Sequence, residues 1–190
     1  MVFSIKRFFD IIVAFVLLVV LSIPMFIIAV AVKTTSRGKI LHWSDRAGVE
    51  NRIFRMPKFR TMYTTAPIVA THLLASPDSH VTAVGSFLRK SSLDELPQLW
   101  SVLRGDMSLV GPRPALYNQD DLIALRTKKG VQKLVPGITG WAQINGRDDI
   151  AIPSKVELDE YYMKHQSMSF DLKVLYLTLA KAAKAEGVKH

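Results

Sequence analysis

Ser92-Leu-Asp-Glu95 sets two adjacent carboxylates in a stretch that also carries Arg89, Arg104 and Arg113. An acid pair beside several guanidinium groups suits phosphoryl chemistry. A carboxylate can serve as nucleophile or metal ligand, and arginine holds phosphate oxygens in a fork geometry. The same four residues also fit a helix capping box, with Ser92 as N-cap, Glu95 reaching back to it and Asp94 complementing the positive helix end. Spacing alone favours the cap. Pro97 weighs against it, because a helix starting at Ser92 would need from the proline a bond to the carbonyl of Leu93. A later helix start frees both acids.

Two further segments present cations in a defined way. In Gly111-Pro-Arg-Pro114 the prolines Pro112 and Pro114 fix their own φ and push their neighbours toward extended geometry, so Arg113 projects from a stiff backbone. In Lys58-Phe-Arg-Thr-Met62 strand alternation puts Lys58 and Arg60 on one face, which reads as a solvated strand face or a phosphate cradle. The sequence has no Walker A loop, no Gly-x-Gly-x-x-Gly, no Asp-x-Asp and no His-Glu-x-x-His. His42, His72, His80, His165 and His190 lie far apart and read as surface or satisfied histidines rather than ligands.

These groups need elements to position them. With 190 residues and a net charge of +9, the chain fits one soluble domain plus a membrane element, and its excess of lysine and arginine implies an anionic partner. The absence of cysteine excludes disulfides, thiolate catalysis and cysteine-ligated zinc. Trp43, Trp100 and Trp141 form no aromatic-plus-basic module of recognised spacing, so phosphates on a lipid account better for the charge than nucleic acid.

From Ile11 to Val32 the chain carries no charged residue, enough at about 1.5 Å per residue to cross a hydrocarbon core. Lys6 and Arg7 precede this segment and Lys33, Arg37 and Lys39 follow it, so the positive-inside rule gives no orientation unless both ends are cytoplasmic. Pro24 frees the carbonyl of Val20, and the Ser22 hydroxyl offers the broken backbone a local partner. A proline-kinked spanning helix and a re-entrant helix-break-helix both fit these residues.

Beyond this segment, residues 39–46 and 52–62 read as strands with a turn at Gly48. Helices are expected over Ser79–Lys90, Leu96–Leu103 and Tyr117–Lys129, the last ended by Gly130, with a short strand over Met107–Val110. Pro136-Gly137, Gly140 and Asn145-Gly146 mark turns. Ser154-Lys-Val-Glu157 reads as a second capping box, opening a helix that runs to about His165. The last helix, Phe170–Lys184, carries Leu172, Leu175, Leu179 and Ala183 near one face, which packs on a core or lies at a membrane interface. No repeat or low-complexity linker marks a second soluble domain.

Five segments carry a resemblance. They are Lys58-Phe-Arg-Thr-Met62, Arg89 to Leu99 with its acid pair, Arg104-Gly-Asp-Met-Ser-Leu-Val-Gly-Pro-Arg-Pro114, Pro136-Gly-Ile-Thr-Gly-Trp-Ala-Gln-Ile-Asn-Gly-Arg147 and Glu157-Leu-Asp-Glu-Tyr-Tyr162. In this order they resemble the monotopic phosphoglycosyl transferases, a bacterial sugar transferase family, over about residues 5 to 188. Relatives often have Ser-Pro at the membrane break, whereas here Ile23 separates Ser22 from Pro24. Residues 64–80 match poorly, and no stretch of these 190 residues reads as the additional N-terminal membrane domain of larger relatives.

The resemblance implies a mostly helical α+β fold: a re-entrant anchor over 1–36, then a small cytoplasmic α/β catalytic domain over 37–190 with interfacial amphipathic helices. It implies a location at the bacterial inner membrane. The implied activity moves a phospho-sugar from a UDP-sugar to undecaprenyl phosphate, releasing UMP, as the initiating step of glycoconjugate and polysaccharide biosynthesis. By the same resemblance Asp94 is the nucleophile of a covalent intermediate, and Glu95 with Asp94 binds Mg2+. Arg89, Lys58 and Arg60 hold phosphate, Pro112, Arg113, Pro114 and Arg147 form the nucleotide site, and Asp159 is a further site residue. The donor sugar and the oligomeric state stay open. Two other readings stand beside it: a non-catalytic membrane scaffold of a polysaccharide assembly complex, and a membrane-tethered nucleic-acid-binding protein.

Overall fold

A sharp bend interrupts the uncharged N-terminal segment. The computed structural model describes residues 2–65, 80–146 and 150–183. Helix α1 (Val2–Val20) and helix α2 (Ser22–Thr35) meet at Leu21. Among the described residues no single helix is long and apolar enough to cross a membrane, but Ile5–Val20 and Ser22–Thr35 together are, with a bend of 62° between them. The sequence explains the joint. Pro24 falls in the first turn of α2, where a missing N–H removes nothing the helix would have used. The Ser22 hydroxyl donates to the carbonyl of Val19 at 2.7 Å, one residue before the carbonyl expected to need it.

Strands β1 (Leu41–Ala47) and β2 (Ile53–Phe59) form an antiparallel hairpin that pairs Leu41 with Phe59 and Ala47 with Ile53. Its turn closes with Gly48 N–H donating to Arg52 O at 2.9 Å, and Glu50 and Asn51 take left-handed φ values of 50° and 59°. Then come α3 (Ala83–Ser91), α4 (Gln98–Arg104), β3 (Ser108–Val110), α5 (Asp120–Lys129), β4 (Gly137–Thr139), α6 (Trp141–Ile144), α7 (Ile152–His165) and α8 (Met168–Ala183). Strands β3 and β4 pair in parallel, Ser108 with Gly137 and Val110 with Thr139. The fold is mostly helical α+β, with two small sheets among the described residues.

Several boundaries differ from the sequence expectation. Helix α7 opens at Ile152 rather than at a Ser154 cap, because Pro153 is preorganised for a first helical turn. Ser154 therefore lies inside the helix, and no side-chain cap bond forms at Ala151. Helix α5 begins at Asp120, after Tyr117, and ends as expected on Gly130 at φ 81°. The expected helix limits Ser79 and Lys184, together with His72, Arg147 and His190, lie outside the described residues.

The main core gathers Leu99, Val102, Met107, Val110, Tyr162 and Val174, and Ala14 of α1 joins it. A second core packs Ile28 and Val32 of α2 on Phe59 and Leu88. Polar contacts reinforce both junctions. Asp10 of α1 is buried and accepts from Ser108 Oγ at 2.8 Å and Leu109 N at 3.2 Å. Lys6 pairs with Asp171 at 2.6 Å. Arg7 donates to Val102 O and Leu103 O at 2.5 and 2.9 Å, satisfying carbonyls at the end of α4. Helices α1 and α2 thus share packing and polar contacts with the later elements.

In α8 the expected apolar face divides. Val174 and Asp171 are buried and Leu175 packs against the core, whereas Leu172, Tyr176 and Leu179 are 48%, 70% and 71% exposed. The inward face follows the Asp171–Tyr162 hydrogen bond, 2.6 Å long, which fixes the rotation of the helix.

Candidate active site

Helix α3 stops at Ser92, which takes a left-handed φ of 57° and turns the chain, its N–H donating to Arg89 O at 3.2 Å. Leu93–Glu95 then form one 3-10 turn, and α4 starts at Gln98 with Pro97 as its N-cap. The capping box favoured by spacing does not form. Ser92 makes no side-chain cap bond, and Pro97 precedes the helix, where its missing N–H costs little. The later start expected from Pro97 is what frees the acids.

Asp94 and Glu95 occupy different environments. Lys58 Nζ and Arg113 Nη2 both reach Glu95 Oε1, at 2.7 and 2.8 Å. Burial opposes the charge on Glu95, but Arg113 and Lys58 outweigh it and hold the carboxyl well below the usual carboxylate range. Asp94 is 8% exposed, and among the described residues no hydrogen bond reaches its carboxylate. Burial pushes Asp94 up, with the charge of Glu95 acting in the same sense, while Lys58, Arg113 and Arg89 draw it down. Arg89 donates from Nε to Thr61 Oγ1 at 3.0 Å.

The loop that carries Arg113 is held at three successive carbonyls. Pro112 O accepts from Gly137 N at 2.9 Å, Arg113 O from Arg126 Nη1 at 2.8 Å, and Pro114 O from Arg46 Nη1 at 3.3 Å. The close approach of this loop to β4 needs glycine, since a Cβ on Gly111 would run into the carbonyl of Val135. Asp159 supports the arrangement from behind. It is 1% exposed and accepts from Arg126 Nη2 and Nε at 2.6 and 3.0 Å. Its link to the acid pair therefore runs through Arg126 and the Arg113 carbonyl.

Arg60 goes elsewhere. Its guanidinium donates to Lys39 O, to Val32 O at 3.3 Å, and to Ser36 O and Oγ at 2.8 and 2.7 Å, closing the C-terminal end of α2. Lys58 and Arg60, expected as one phosphate cradle, thus serve different partners. Strand β2 ends at Phe59, so the alternation behind that expectation stops before Arg60. Arg104 pairs with Asp106 at 3.3 Å on the surface. Arg126 and Arg46 were not singled out from sequence. The available signal was Arg126 recurring four residues after Leu122, a charged residue on the buried face of α5.

Among the described residues no group of three or more acidic or histidine side chains could hold a metal. Asp94 and Glu95 nonetheless supply two adjacent hard oxygen donors. That is the kind of set Mg2+ uses when substrate phosphates complete its shell. The donor chemistry of the pair suits that ion, with Glu95 Oε1 already engaged by Lys58 and Arg113.

A small α+β fold thus sets an acid pair beside Lys58, Arg113 and Arg89. A family model described as bacterial sugar transferase matches residues 1–185, and the chain belongs to that family. It is 39% identical to an undecaprenyl-phosphate glucose phosphotransferase of Komagataeibacter xylinus, over 93% of this chain and 35% of the relative. It is 40% identical to the uncharacterized sugar transferase EpsL of Bacillus subtilis, over 97% and 90%. A UDP-glucose:undecaprenyl-phosphate glucose-1-phosphate transferase of Escherichia coli is 38% identical, over 93% and 39%. The chain thus spans little more than a third of two of these relatives and nearly all of the third.

Proposed function

We propose that the protein transfers a phospho-sugar from a UDP-sugar to undecaprenyl phosphate, releasing UMP, through a covalent intermediate on Asp94. The observation that carries this reading is the asymmetry of the acid pair: Glu95 is neutralised by two cations, while Asp94 is met by no hydrogen bond among the described residues. In the first step an oxygen of the Asp94 carboxylate attacks the β-phosphorus. The bond from that phosphorus to the bridging oxygen breaks, and its electron pair leaves with UMP. In the second step an oxygen of the lipid phosphate attacks the same phosphorus, and the Asp94 carboxylate leaves unchanged. Lys58, Arg89 and Arg113 orient the phosphates, and the braced loop of Pro112, Arg113 and Pro114 receives the nucleotide together with Arg147. Asp94 and Glu95 would hold Mg2+, which when bound neutralises charge on the diphosphate.

The acceptor is a lipid, and the bent helix pair supports a place for it. Both ends of the pair are fixed to the same domain, α1 through Lys6, Arg7 and Asp10 and α2 through Arg60. We read the pair as re-entrant, entering and leaving the bilayer from the cytoplasmic side, with the exposed Leu172, Tyr176 and Leu179 of α8 at the membrane interface. The chain has no cysteine, so single thiols can report on this topology. In intact cells Ile5→Cys and Thr35→Cys should both resist an impermeant thiol reagent and react after lysis. Labelling of one position alone in intact cells would mean a spanning helix.

Activity is tested by incubating the protein with Mg2+, undecaprenyl phosphate and a panel of UDP-sugars while UMP is measured. UMP release that depends on the lipid and falls with excess chelator is the expected result. No release with any UDP-sugar would favour the non-catalytic scaffold, and the choice among sugars would name the donor.

A further inference from the structure

Strand β1 runs from the apolar helix pair to the loop that carries Arg113. At its start Ile40 and Leu41 pack on the cluster that holds Ile28 and Val32 of α2, and Leu93 and Leu96, which flank the acid pair, pack on that same cluster. At its end Arg46 Nη1 donates to Pro114 O at 3.3 Å and Ala47 N to Ala115 O at 3.0 Å. His42 lies near the α2 end of this path and is the register partner of Lys58, whose Nζ reaches Glu95. Residues directly opposite in an antiparallel pair project from the same face, so the imidazole stands beside the Lys58 side chain. The residue is exposed, and among the described residues no hydrogen bond reaches its ring. Partial covering of the ring lowers its pKa from the usual value, and the charges of Arg46 and Lys58 act in the same sense. The imidazole is therefore neutral at pH 7 and adds nothing to the repulsion between those cations.

We propose that His42 binds the phosphate of the lipid acceptor and serves the second step alone, an inference that rests on the transferase reading above. A polyprenyl monophosphate whose tail lies along α2 enters the site from the side of Ile28 and Val32, and His42 with Lys58 stands on that approach. The imidazole N–H donates to one phosphate oxygen and Lys58 supplies the charge, which holds another oxygen of the same phosphate against the phosphorus carried by Asp94. The UDP-sugar enters from the opposite end of the strand, where the Arg113 loop lies. The two substrates thus share Lys58 but not His42.

Full-length protein in detergent micelles, with the UDP-sugar chosen from the panel above, separates the two steps. Without lipid, His42→Phe should form the phospho-sugar adduct and release UMP at the wild-type rate. With undecaprenyl phosphate added, its kcat/KM for the lipid should fall by about 10- to 100-fold, the scale of one hydrogen bond to a charged group, with most of the loss in KM. His42→Gln keeps an N–H donor and should recover part of that loss. The proposal is overturned if His42→Phe uses the lipid as well as the wild type, or if adduct formation falls along with lipid use, since the latter marks a donor-site or merely structural histidine. Weaker sedimentation of His42→Phe with phosphatidylglycerol vesicles, at an unchanged KM for undecaprenyl phosphate, would assign the ring to membrane headgroups instead and also overturn it. A wild type that releases no UMP would remove the transferase reading beneath it.

Discussion

Asp94→Asn should release no UMP from a UDP-sugar in the absence of lipid and should gain no phospho-sugar mass. The wild type should release up to about one UMP per active site and carry the adduct, as covalent catalysis requires. Direct transfer and two-step transfer give the same products, so the adduct is the measurement that separates them. The asparagine keeps the shape of the side chain and removes its nucleophilic charge. Lipid-dependent turnover should fall by about 10,000-fold or more, on the scale at which covalent nucleophiles act. Glu95→Gln should be impaired differently: Lys58 and Arg113 lose the charge that organises them, while Asp94 is still present and slowly acquires the adduct. Substantial turnover by Asp94→Asn, or a wild type without adduct under rapid quenching, would refute the role given to Asp94.

The second large effect is on stability. Asp159→Ala leaves the Arg126 guanidinium buried without its counter-charge and should destabilise the protein by about 3–5 kcal/mol. Unfolding by denaturant measures this, and a loss below about 1 kcal/mol would mean that Arg126 finds water instead. The double variant Arg126→Met with Asp159→Leu should recover most of the stability, because no charge is then left buried. It should not recover activity, since nothing replaces the bond from Arg126 to the Arg113 carbonyl. This separation distinguishes a buried pair kept for loop geometry from one kept for the core.

What was legible in the sequence was local. Pro97 placed the start of α4, Gly130 ended α5, and Pro24 with Ser22 marked the bend, because each fixes a backbone bond within a turn of itself. What was not legible depended on distant partners. Nothing near Arg60 in the chain says that its guanidinium would close α2, because its acceptors lie more than twenty residues earlier. Asp159 was singled out without its partner, since Arg126 lies thirty-three residues away on another helix. The Ser154 box misled for the opposite reason: a good local pattern lost to Pro153, which starts the same helix earlier.

The arginine contacts at the helix ends carry a mechanical consequence. Arg7 holds the far end of α4, while the near end of that helix begins three residues after Glu95. Arg60 ties the exit of α2 to the residue that follows β2, the strand bearing Lys58. The apolar hairpin is therefore tied to the chain on both sides of the acid pair. The first thirty-six residues cannot be cut away without opening the fold on both sides of that pair. Removing them would uncap α4, expose Phe59 and Leu88, and leave Ser108 without the carboxylate that fixes it.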